Sequence, residues 1–389
     1  MKKIVVYDAT LRDGVQAEGI SFSLQDKLDI ARELDALGVD YIEGGYPLSN
    51  PKDEAFYREI RKRPLARARI SAFGSTRRPH SRVAQDAGIK ALLASKAPAV
   101  TIVGKSWDFH VVRALRVSLE ENLAMIRDSV KYLKRQKREV LFDAEHFFDG
   151  YKANPEYAMK TVLAAEEAGA DWIVLCDTNG GCLPAEVGRI VNDVSSKIET
   201  PLGIHCHNDS GTAVGNTLEA VRRGAVHVQG TINGLGERCG NADLTVVIPD
   251  LILKMKRSAI DRKNLKKLTE VSRFVYESAN MMLVNNQPFV GRSAFAHKGG
   301  LHVSAVLRDE RTYEHVNPAL VGNTRRLLVG ELSGRATVAA KASKLDLSEN
   351  RPLLRRVLKQ VQELENEGYQ FEAAEASFEL LLRKAAGLH

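Results

Sequence analysis

The sequence predicts an α/β protein built on a closed (β/α)₈ barrel, the TIM-barrel architecture, with a mainly helical C-terminal appendage. Three observations support this fold: eight short β-branched runs before about residue 256, amphipathic segments between them, and polar residues directly after most runs. Strand and helix that alternate through short connections indicate parallel pairing, and eight such units are typical of a closed barrel.

The eight runs define the predicted strands. They are "IVVYDAT" (4–10), "VDYIEGG" (39–45), "RISAFGS" (69–75), "AVTIVGK" (99–105), "EVLFDAE" (139–145), "DWIVLCDT" (171–178), "PLGIHCHN" (201–208) and "AVHVQGTI" (225–232). After the first run, "SLQDKLDIARELDALG" carries leucines at helical spacing and ends at Gly38, which predicts an amphipathic helix. A doubly wound sheet is the alternative, but it would usually have a Gly-rich phosphate loop where this chain has "ATLRDGVQ".

The alternation of strands and helices is lost after residue 256. Residues 1–256 are therefore predicted to be the barrel domain, and residues 257–389 a helical region that packs on a barrel, its own or a partner's. No low-complexity tract marks a flexible linker between the two regions.

Composition excludes several classes of protein. The chain has 389 residues, 44% hydrophobic and 27% charged, as globular proteins do, and no apolar stretch approaches the roughly 18 residues of a membrane span. With no signal peptide at the N-terminus, we expect a cytoplasmic protein. The net charge of +7 comes from dispersed basic residues without a nucleic-acid-binding module, so we expect no nucleic-acid partner. The four cysteines lack C-x-x-C spacing, which favours free thiols.

The stretch "GIHCHND" places His205 and His207 one residue apart in the seventh predicted strand. Residues two apart in a strand point to the same side, so both imidazoles should face the barrel interior near its carboxyl end, where barrel enzymes keep their active sites. A metal site is the leading interpretation. The alternative is a pair of buried histidines bonded to neighbouring groups. Cys206 should face the other way as a packed thiol rather than a nucleophile.

Polar residues at the ends of the other strands favour the metal site. A single polar residue after a strand usually belongs only to a turn. Polar residues at the same end of most strands, around one rim of the barrel, instead indicate an active site. The residues are Arg12 and Asp13, Glu43, Glu145, Asp177 and Thr178, and "NGLGERCGN" from Asn233 to Asn241. The Asp13 carboxylate, the Asn241 amide oxygen and two imidazoles would form a mixed N/O set that suits Mg²⁺, Mn²⁺ or a catalytic Zn²⁺.

Several motifs resemble one enzyme superfamily. "DATLRDGVQ" resembles the opening motif of the DRE-TIM metallolyases, and "IHCHND" and "NGLGERCGN" look like the two signatures of their acyl-CoA-condensing branch, the isopropylmalate, homocitrate and citramalate synthases. Within that branch, "YIEGGYPLSNPKD", "FGSTRR", "GKSWDFHV", "DAEHFFDGYKANPEYA" and "GRSAFAHKGGLHVSAV" are most similar to the citramalate synthase group. The resemblance covers essentially the whole chain.

The resemblance implies an acyltransferase reaction: metal-dependent condensation of acetyl-CoA with pyruvate, giving citramalate and CoA for isoleucine biosynthesis. Mn²⁺ or Mg²⁺ is the expected ion, and Zn²⁺ is also compatible. Isopropylmalate or homocitrate synthesis, and retro-aldol cleavage as in the related lyases, remain alternatives within the superfamily. A non-catalytic barrel is the alternative from another class, which the intact set of polar rim residues disfavours.

The resemblance also assigns roles to individual residues. It implies that Asp13, His205, His207 and, as in some members of the family, Asn241 bind the metal. It also implies that Arg12 stabilises negative charge and binds substrate, and that Glu43 holds Arg12 in place. Thr178 would offer its hydroxyl to the substrate carboxylate. These assignments concern residues of the barrel domain alone.

Three further residues are candidates for removing a proton from acetyl-CoA. The resemblance places a carboxylate at Glu145 and a histidine and tyrosine of the appendage at His302 and Tyr313, with His297 as a rival for His302. It implies a homodimer whose active sites are shared, because the appendage of one subunit reaches the partner's barrel. The alternatives are that Glu145 is only a salt-bridge partner and that Tyr313 is only an interface aromatic.

The chain departs from the family pattern in three places. Ala9 replaces a common threonine, and Tyr46 replaces a frequent tryptophan, which would alter the shape of the pocket. Related synthases usually continue into a C-terminal regulatory domain, and this chain ends about where that domain would begin. We therefore expect a catalytic core that lacks the regulatory domain and is not inhibited by isoleucine.

Overall fold

The computed structural model describes residues 3–372 and 374–388 of the chain. They belong to two units, Met1–Leu283 and Val284–His389. The domain boundary expected after residue 256 falls inside the first unit, which continues through a helix at Leu268–Ser278 before it ends.

Eight parallel strands form a closed barrel in the first unit. They are β1 (Val5–Asp8), β2 (Tyr41–Glu43), β3 (Arg69–Ser75), β4 (Ala99–Lys105), β5 (Glu139–Glu145), β6 (Trp172–Asp177), β7 (Leu202–Cys206) and β8 (His227–Gly230). Each strand pairs with the next along the chain, and β8 pairs with β1 to close the sheet. All eight predicted strands are confirmed. The closure excludes the doubly wound alternative, whose sheet is open.

Helices connect the strands, as the sequence predicts. Those of the first unit are α1 (Leu24–Leu37), α2 (Pro51–Ile60), α3 (Ala87–Ala94), α4 (Asp108–His110), α5 (Leu119–Arg135), α6 (Phe147–Ala153), α7 (Pro155–Glu167), α8 (Pro184–Ser195), α9 (Ala213–Arg222), α10 (Leu244–Pro249) and α11 (Leu268–Ser278). Helix α1 begins at a capping box, in which Ser23 and Asp26 each accept a hydrogen bond from the other's backbone N–H. It ends at Gly38, whose φ of 101° lies in the left-handed region that favours glycine.

Register in the sheet decides which side chains meet inside the barrel. Parallel pairing sets His205 of β7 opposite Gln229 of β8 and Cys176 of β6. Every residue of β7 is buried, as expected for a strand covered on both faces. Register partners on neighbouring strands point to the same face of the sheet, so the side chains of His205 and Gln229 meet inside the barrel.

An aromatic cluster fills the barrel near the beginnings of the strands. Tyr7, Tyr41 and Trp172 surround His227, whose ring centroid lies 5.5 Å from that of Tyr7 and 5.0 Å from that of Trp172. His227 is wholly buried, and neither of its ring nitrogens has a hydrogen-bond partner in the described part of the chain. Burial and, to a smaller extent, the neighbouring His205 together lower the pKa of His227 from 6.5 to about 3.

This depressed pKa predicts an acid-sensitive contribution to stability. The fold favours neutral His227, so its contribution is lost as pH falls from the unfolded pKa of 6.5 toward the folded pKa of about 3. At about 1.4 kcal/mol per pH unit, the loss at pH 5 is about 2 kcal/mol. Between pH 7 and pH 5, the free energy of unfolding of the native chain should therefore fall by about 2 kcal/mol more than that of His227→Leu. Urea denaturation at the two pH values would measure this difference. Equal losses in both proteins would contradict this assignment.

The second unit is mainly helical, as predicted for the appendage. It contains α12 (Gly300–Arg308), α13 (Arg335–Ala342), α14 (Arg351–Asn366) and α15 (Glu375–Ala386), with a parallel pair of short strands, β9 (Ala296–His297) and β10 (Arg326–Leu327). Its own core packs Val338 of α13 against Leu353, Val357 and Val361 of α14 and Phe378 of α15. Among the residues described, no helix has both the length and the apolar character that a membrane span requires.

Candidate active site

Asp13, His205 and His207 lie together at the carboxyl ends of β1 and β7. The Nε2 atoms of His205 and His207 are 3.3 Å apart and lie 3.5 Å and 4.0 Å, respectively, from Oδ2 of Asp13. All three side chains are buried, and their candidate ligand atoms lie within 4.8 Å of one another. Alternation along β7 turns both imidazoles to one side, as the sequence predicts. The structure thus brings together three of the four predicted metal ligands.

Asn241, the fourth predicted ligand, is carried to this cluster by the loop after β8. The loop folds back so that Asn241 pairs with His207 in an antiparallel bridge. Two backbone hydrogen bonds hold this pairing, from Asn208 N to the Gly240 carbonyl at 2.9 Å and from Ala242 N to the Cys206 carbonyl at 3.0 Å. The amide nitrogen of Asn241 donates to the Leu235 carbonyl. This contact fixes which end of the amide is the oxygen.

The donor atoms of this cluster fit a divalent cation. Oδ1 of Asp13 and Oδ1 of Asn241 are buried and have no hydrogen-bond partner within the described chain. Buried polar atoms normally have one, so these two oxygens need a positive or hydrogen-bonding group that the protein itself does not supply. Two imidazole nitrogens and two oxygens match the preferences of Mn²⁺, Mg²⁺ or a catalytic Zn²⁺.

The ionisation states of these groups also suit cation binding. Burial lowers the pKa of His205 to about 3, and the neighbouring His207 adds to this effect. Burial likewise lowers the pKa of His207. For Asp13, burial raises the pKa, but Arg12 and the two histidines outweigh it and hold the pKa below its ordinary value. Near neutral pH the cluster therefore offers two neutral imidazoles and one carboxylate.

Because Gly236 has no side chain, the Asn241 side chain can lie directly against it. A Cβ atom added to Gly236 would lie 2.1 Å from Nδ2 of Asn241, and the φ of 154° is one that other residues rarely adopt. Gly236→Ala should therefore displace Asn241 and weaken Mn²⁺ binding by about tenfold, an effect of the size seen when the support of a metal ligand is lost. Isothermal titration calorimetry would measure it.

Gly181→Ala is the matched control for Gly236→Ala. A Cβ atom at Gly181, in the loop after β6, would meet nothing within 4 Å. We expect this variant to bind Mn²⁺ like the native chain. Equal Mn²⁺ affinity in both variants would contradict a role for the Asn241 position.

Arg12 is held rigidly beside Asp13. Its Nε donates to Oε2 of Glu43 at 2.6 Å, its Nη1 donates to Oδ2 of Asp13 at 3.1 Å, and its guanidinium lies 3.9 Å above the Phe73 ring. Glu43 is wholly buried, and its other oxygen accepts a hydrogen bond from the Tyr7 hydroxyl at 2.7 Å. A permanent cation is thus fixed next to the cluster by a carboxylate, as the resemblance implies.

Glu145 and Thr178 stand at the carboxyl ends of the neighbouring strands β5 and β6. Glu145 ends β5 and forms an ion pair with Lys105, its register partner at the end of β4. The Thr178 hydroxyl accepts a hydrogen bond from the backbone N–H of His146 at 2.9 Å. The salt-bridge alternative for Glu145 therefore has a specific partner, Lys105, at the same rim.

Three further polar residues of this region were not singled out by the sequence. Gln229 and Asp143 form a buried hydrogen-bonded chain with His205. Arg238 donates to Asp209 through Nε and Nη2 and to the Thr178 carbonyl, so it joins the loops after β6, β7 and β8. A charged residue inside the apolar run "VLFDAE" was the available signal for Asp143, and Gln229 likewise interrupts the run "VHVQG".

His302 and Tyr313 belong to the second unit. Their rings stack with centroids 4.2 Å apart, and both side chains are exposed. His297, the rival of His302, lies with Nε2 3.1 Å from Oε1 of Glu314, a buried carboxylate that also accepts hydrogen bonds from Arg325. His297 therefore lies in a hydrogen-bonded cluster with Glu314 and Arg325.

Three cysteines are buried and one, Cys239, is exposed, and all four are free thiols. Burial raises the pKa of Cys206 well above its ordinary value, so its thiol stays protonated. This agrees with a packed thiol rather than a nucleophile.

Two family models match the chain. HMGL-like covers residues 3–275, and the homocitrate synthase post-HMGL domain-like family covers residues 289–369. The first match lies within the first unit of the structure and the second match within the second unit.

Curated relatives match over nearly the whole chain. An (R)-citramalate synthase of Geobacter sulfurreducens is 56% identical over 100% of this chain and 74% of its own length, and one of Aquifex aeolicus is 54% identical with the same coverage. The homocitrate synthase AksA of Methanopyrus kandleri is 37% identical over 93% of this chain and 88% of its own length.

Solved structures support the barrel fold. The HMG-CoA lyase of Bacillus subtilis has a TM-score of 0.60 at 19% identity and covers 72% of this chain and 95% of its own. The HMG-CoA lyase of Brucella melitensis has a TM-score of 0.61 at 17% identity, with 72% and 100% coverage. At such identities the likeness establishes the fold alone.

Proposed function

The chain belongs to the HMGL-like family and to its citramalate synthase members, and from that membership we propose that it joins acetyl-CoA to pyruvate to form citramalate and CoA. The observation that carries the proposal is the buried cluster of Asp13, His205 and His207 beside the fixed cation of Arg12. The names of its relatives favour the (R) product. We place the reaction in isoleucine biosynthesis, in the cytoplasm.

Asp13, His205, His207 and Asn241 would hold a divalent cation, with Mn²⁺ or Mg²⁺ as the expected ion. Bound there, the cation supplies Lewis acidity toward the keto group of a 2-oxo acid. Arg12 faces the same place with a charge that cannot be lost, so it would stabilise the oxyanion that develops when the new carbon–carbon bond forms. Glu43 and Phe73 keep the guanidinium in position. Thr178 would donate its hydroxyl to the substrate carboxylate.

A base must take a proton from the methyl group of acetyl-CoA, which is a weak carbon acid. We propose that Glu145 or the His302–Tyr313 pair performs this step. The resulting carbanion adds to the keto carbon of pyruvate, whose oxygen receives a proton. Water then cleaves the thioester, so that CoA leaves as the thiol and the condensation becomes irreversible.

We further propose a homodimer in which His302 and Tyr313 of one subunit serve the barrel of the other. Asp13→Asn and His302→Ala should then each be inactive alone and complement each other when mixed. Random reassociation makes half of the dimers mixed, and each mixed dimer has one intact site, so about a quarter of native activity should return. Continued inactivity, with subunit exchange verified by mass spectrometry, would contradict shared active sites.

The test of the proposed function is thiol release from acetyl-CoA with Mn²⁺ or Mg²⁺. Pyruvate, 2-oxobutyrate, 2-oxoisovalerate, 2-oxoglutarate and no acceptor should be compared. Strong preference for pyruvate, abolished by a chelator and restored by the ion, is the expected result. Preference for 2-oxoisovalerate or 2-oxoglutarate would instead indicate isopropylmalate or homocitrate synthesis, and no release with any acceptor would overturn the condensation.

A further inference from the structure

We propose that Gln229 is a positioning residue that holds the His205 ring with its proton on Nδ1, so that Nε2 stays free to bind a divalent cation. The inference rests on the proposed cation site and extends it to the residues that hold the His205 ring in place. It gives a role to two buried polar residues, Gln229 and Asp143, that the proposed reaction does not itself use.

The contacts form a continuous buried chain. Nδ1 of His205 lies 3.0 Å from Oε1 of Gln229, and Nε2 of Gln229 donates to Oδ1 of Asp143 at 3.1 Å. Gln229 is wholly buried, and Asp143 and His205 are only 4% and 5% exposed. Solvent therefore does not compete for these hydrogen bonds. Each partner keeps the next in one orientation.

The contact with Asp143 shows which end of the Gln229 amide faces His205. Oδ1 of Asp143 accepts from the amide nitrogen, as a carboxylate oxygen or as the carbonyl oxygen of the protonated acid, so the amide oxygen faces the imidazole. An oxygen can only accept, so Nδ1 of His205 must be the nitrogen that carries the proton. A neutral imidazole has one proton, and Nε2 is left with its lone pair.

The lone pair on Nε2 points to the place where a cation would be bound. Nε2 lies 3.3 Å from Nε2 of His207 and 3.5 Å from Oδ2 of Asp13. If the proton moved to Nε2, it would point into this space and the nitrogen could not act as a ligand. A partner on the distant ring nitrogen is the usual way in which proteins select the tautomer of a metal-binding histidine.

A purely structural role for Gln229 makes a different prediction. If the amide only satisfied buried hydrogen bonds, its replacement would change stability without changing the affinity of the folded protein for a cation. Two variants separate the possibilities. Gln229→Leu removes the acceptor at similar length, whereas Gln229→Glu keeps an oxygen opposite Nδ1.

Asp143 allows the glutamate variant to be accommodated. Burial raises the pKa of Asp143 to about 8, with the Glu43 charge adding to the shift. At neutral pH the Asp143 carboxyl is therefore mostly protonated and can donate a hydrogen bond to a carboxylate at position 229. Asn216→Leu is the matched control, because Asn216 is a wholly buried amide on α9 that donates to the Cys182 carbonyl.

The first measurement is Mn²⁺ binding by isothermal titration calorimetry to the full chain and the three variants. Gln229→Leu should bind Mn²⁺ about 10 to 100 times more weakly, as expected when the outer partner of a histidine ligand is lost. Gln229→Glu and Asn216→Leu should bind Mn²⁺ close to native affinity. Native affinity in Gln229→Leu would overturn the inference, and so would equal weakening in Gln229→Leu and Gln229→Glu.

The second measurement needs no cation. Nitrogen-15 NMR of histidine-labelled, cation-free protein reports directly which ring nitrogen of His205 carries the proton, with His205→Gln used to assign its signals. The native chain should show the proton on Nδ1, and Gln229→Leu should lose this preference. A native His205 with its proton on Nε2 would overturn the inference. If the native chain bound no Mn²⁺ but kept the Nδ1 proton, the proposed cation site would fail while the positioning role of Gln229 stood.

Discussion

His207→Ala is expected to abolish Mn²⁺ binding and citramalate formation while the barrel stays folded. The side chain supplies one of two imidazoles in the proposed four-ligand set, so its loss should weaken Mn²⁺ binding by more than the roughly 10 to 100-fold typical of outer-shell changes. Loss of the ion would remove several kcal/mol of stabilisation of the charge that develops in the transition state. The rate should then fall by about a thousandfold or more. Nδ1 of His207 is buried and has no partner among the described residues, so removal of this ring should cost little stability.

Cys206→Ala provides the matched control for His207→Ala. Cys206 is the neighbouring residue, is 1% exposed and points to the other side of the strand. Its loss should leave Mn²⁺ affinity and turnover near native values, with a modest decrease in the melting temperature. Calorimetry and thiol release, with circular dichroism to verify folding, would distinguish the two variants. If His207→Ala retained turnover, the metal-dependent mechanism at this site would be wrong.

Arg12→Lys is expected to lower kcat by about 100 to 1,000-fold while Mn²⁺ still binds. Lysine keeps the charge but lacks the planar guanidinium, whose separate nitrogens donate to Glu43 and Asp13 and whose face stacks on the Phe73 ring. The loss has the size usually measured when one preorganised donor to an oxyanion is removed. Because the effect belongs to the transition state, kcat should fall much more than the KM for pyruvate rises.

The control for Arg12→Lys is the same change at another partly buried arginine. Arg77 donates to Asp128 and Glu121 of helix α5. Arg77→Lys should reduce the melting temperature without reducing kcat. Equal decreases in kcat for the two variants would show that Arg12 acts through folding rather than through the donor geometry of its guanidinium.

The sequence predicts the barrel well because its signals are local. Each strand is a short β-branched run bounded by turns, and each helix repeats its apolar residues at three- and four-residue steps, so the order of elements is visible without tertiary contacts. The candidate ligands Asp13, His205 and His207 are visible for a related reason. Parallel strands bring their carboxyl ends to one rim, so polar residues far apart in the chain can be assigned to one place.

The remaining features depend on contacts that have no local signature. Gln229 meets His205 because of the register between β7 and β8, and periodicity alone does not determine register. Helix α11 belongs to the first unit, and Asn233 joins it through hydrogen bonds in both directions with Ser272. Nothing in the pattern of residues 257–283 distinguishes a helix that completes the barrel unit from one that begins an appendage.

The closure of the sheet has a consequence for how the site is assembled. β1 and β8 are the first and last strands, and the parallel pairing between them is the seam at which the sheet becomes a barrel. Asp13 follows β1, His205 and His207 come from β7, and Asn241 returns from the loop after β8, so the candidate ligand set spans this seam. Folding must therefore join the two ends of the sheet before these four side chains meet. A cation that binds these four side chains would stabilise the closed barrel relative to every open form by mass action. Binding of the ion would therefore indicate that β8 is paired with β1.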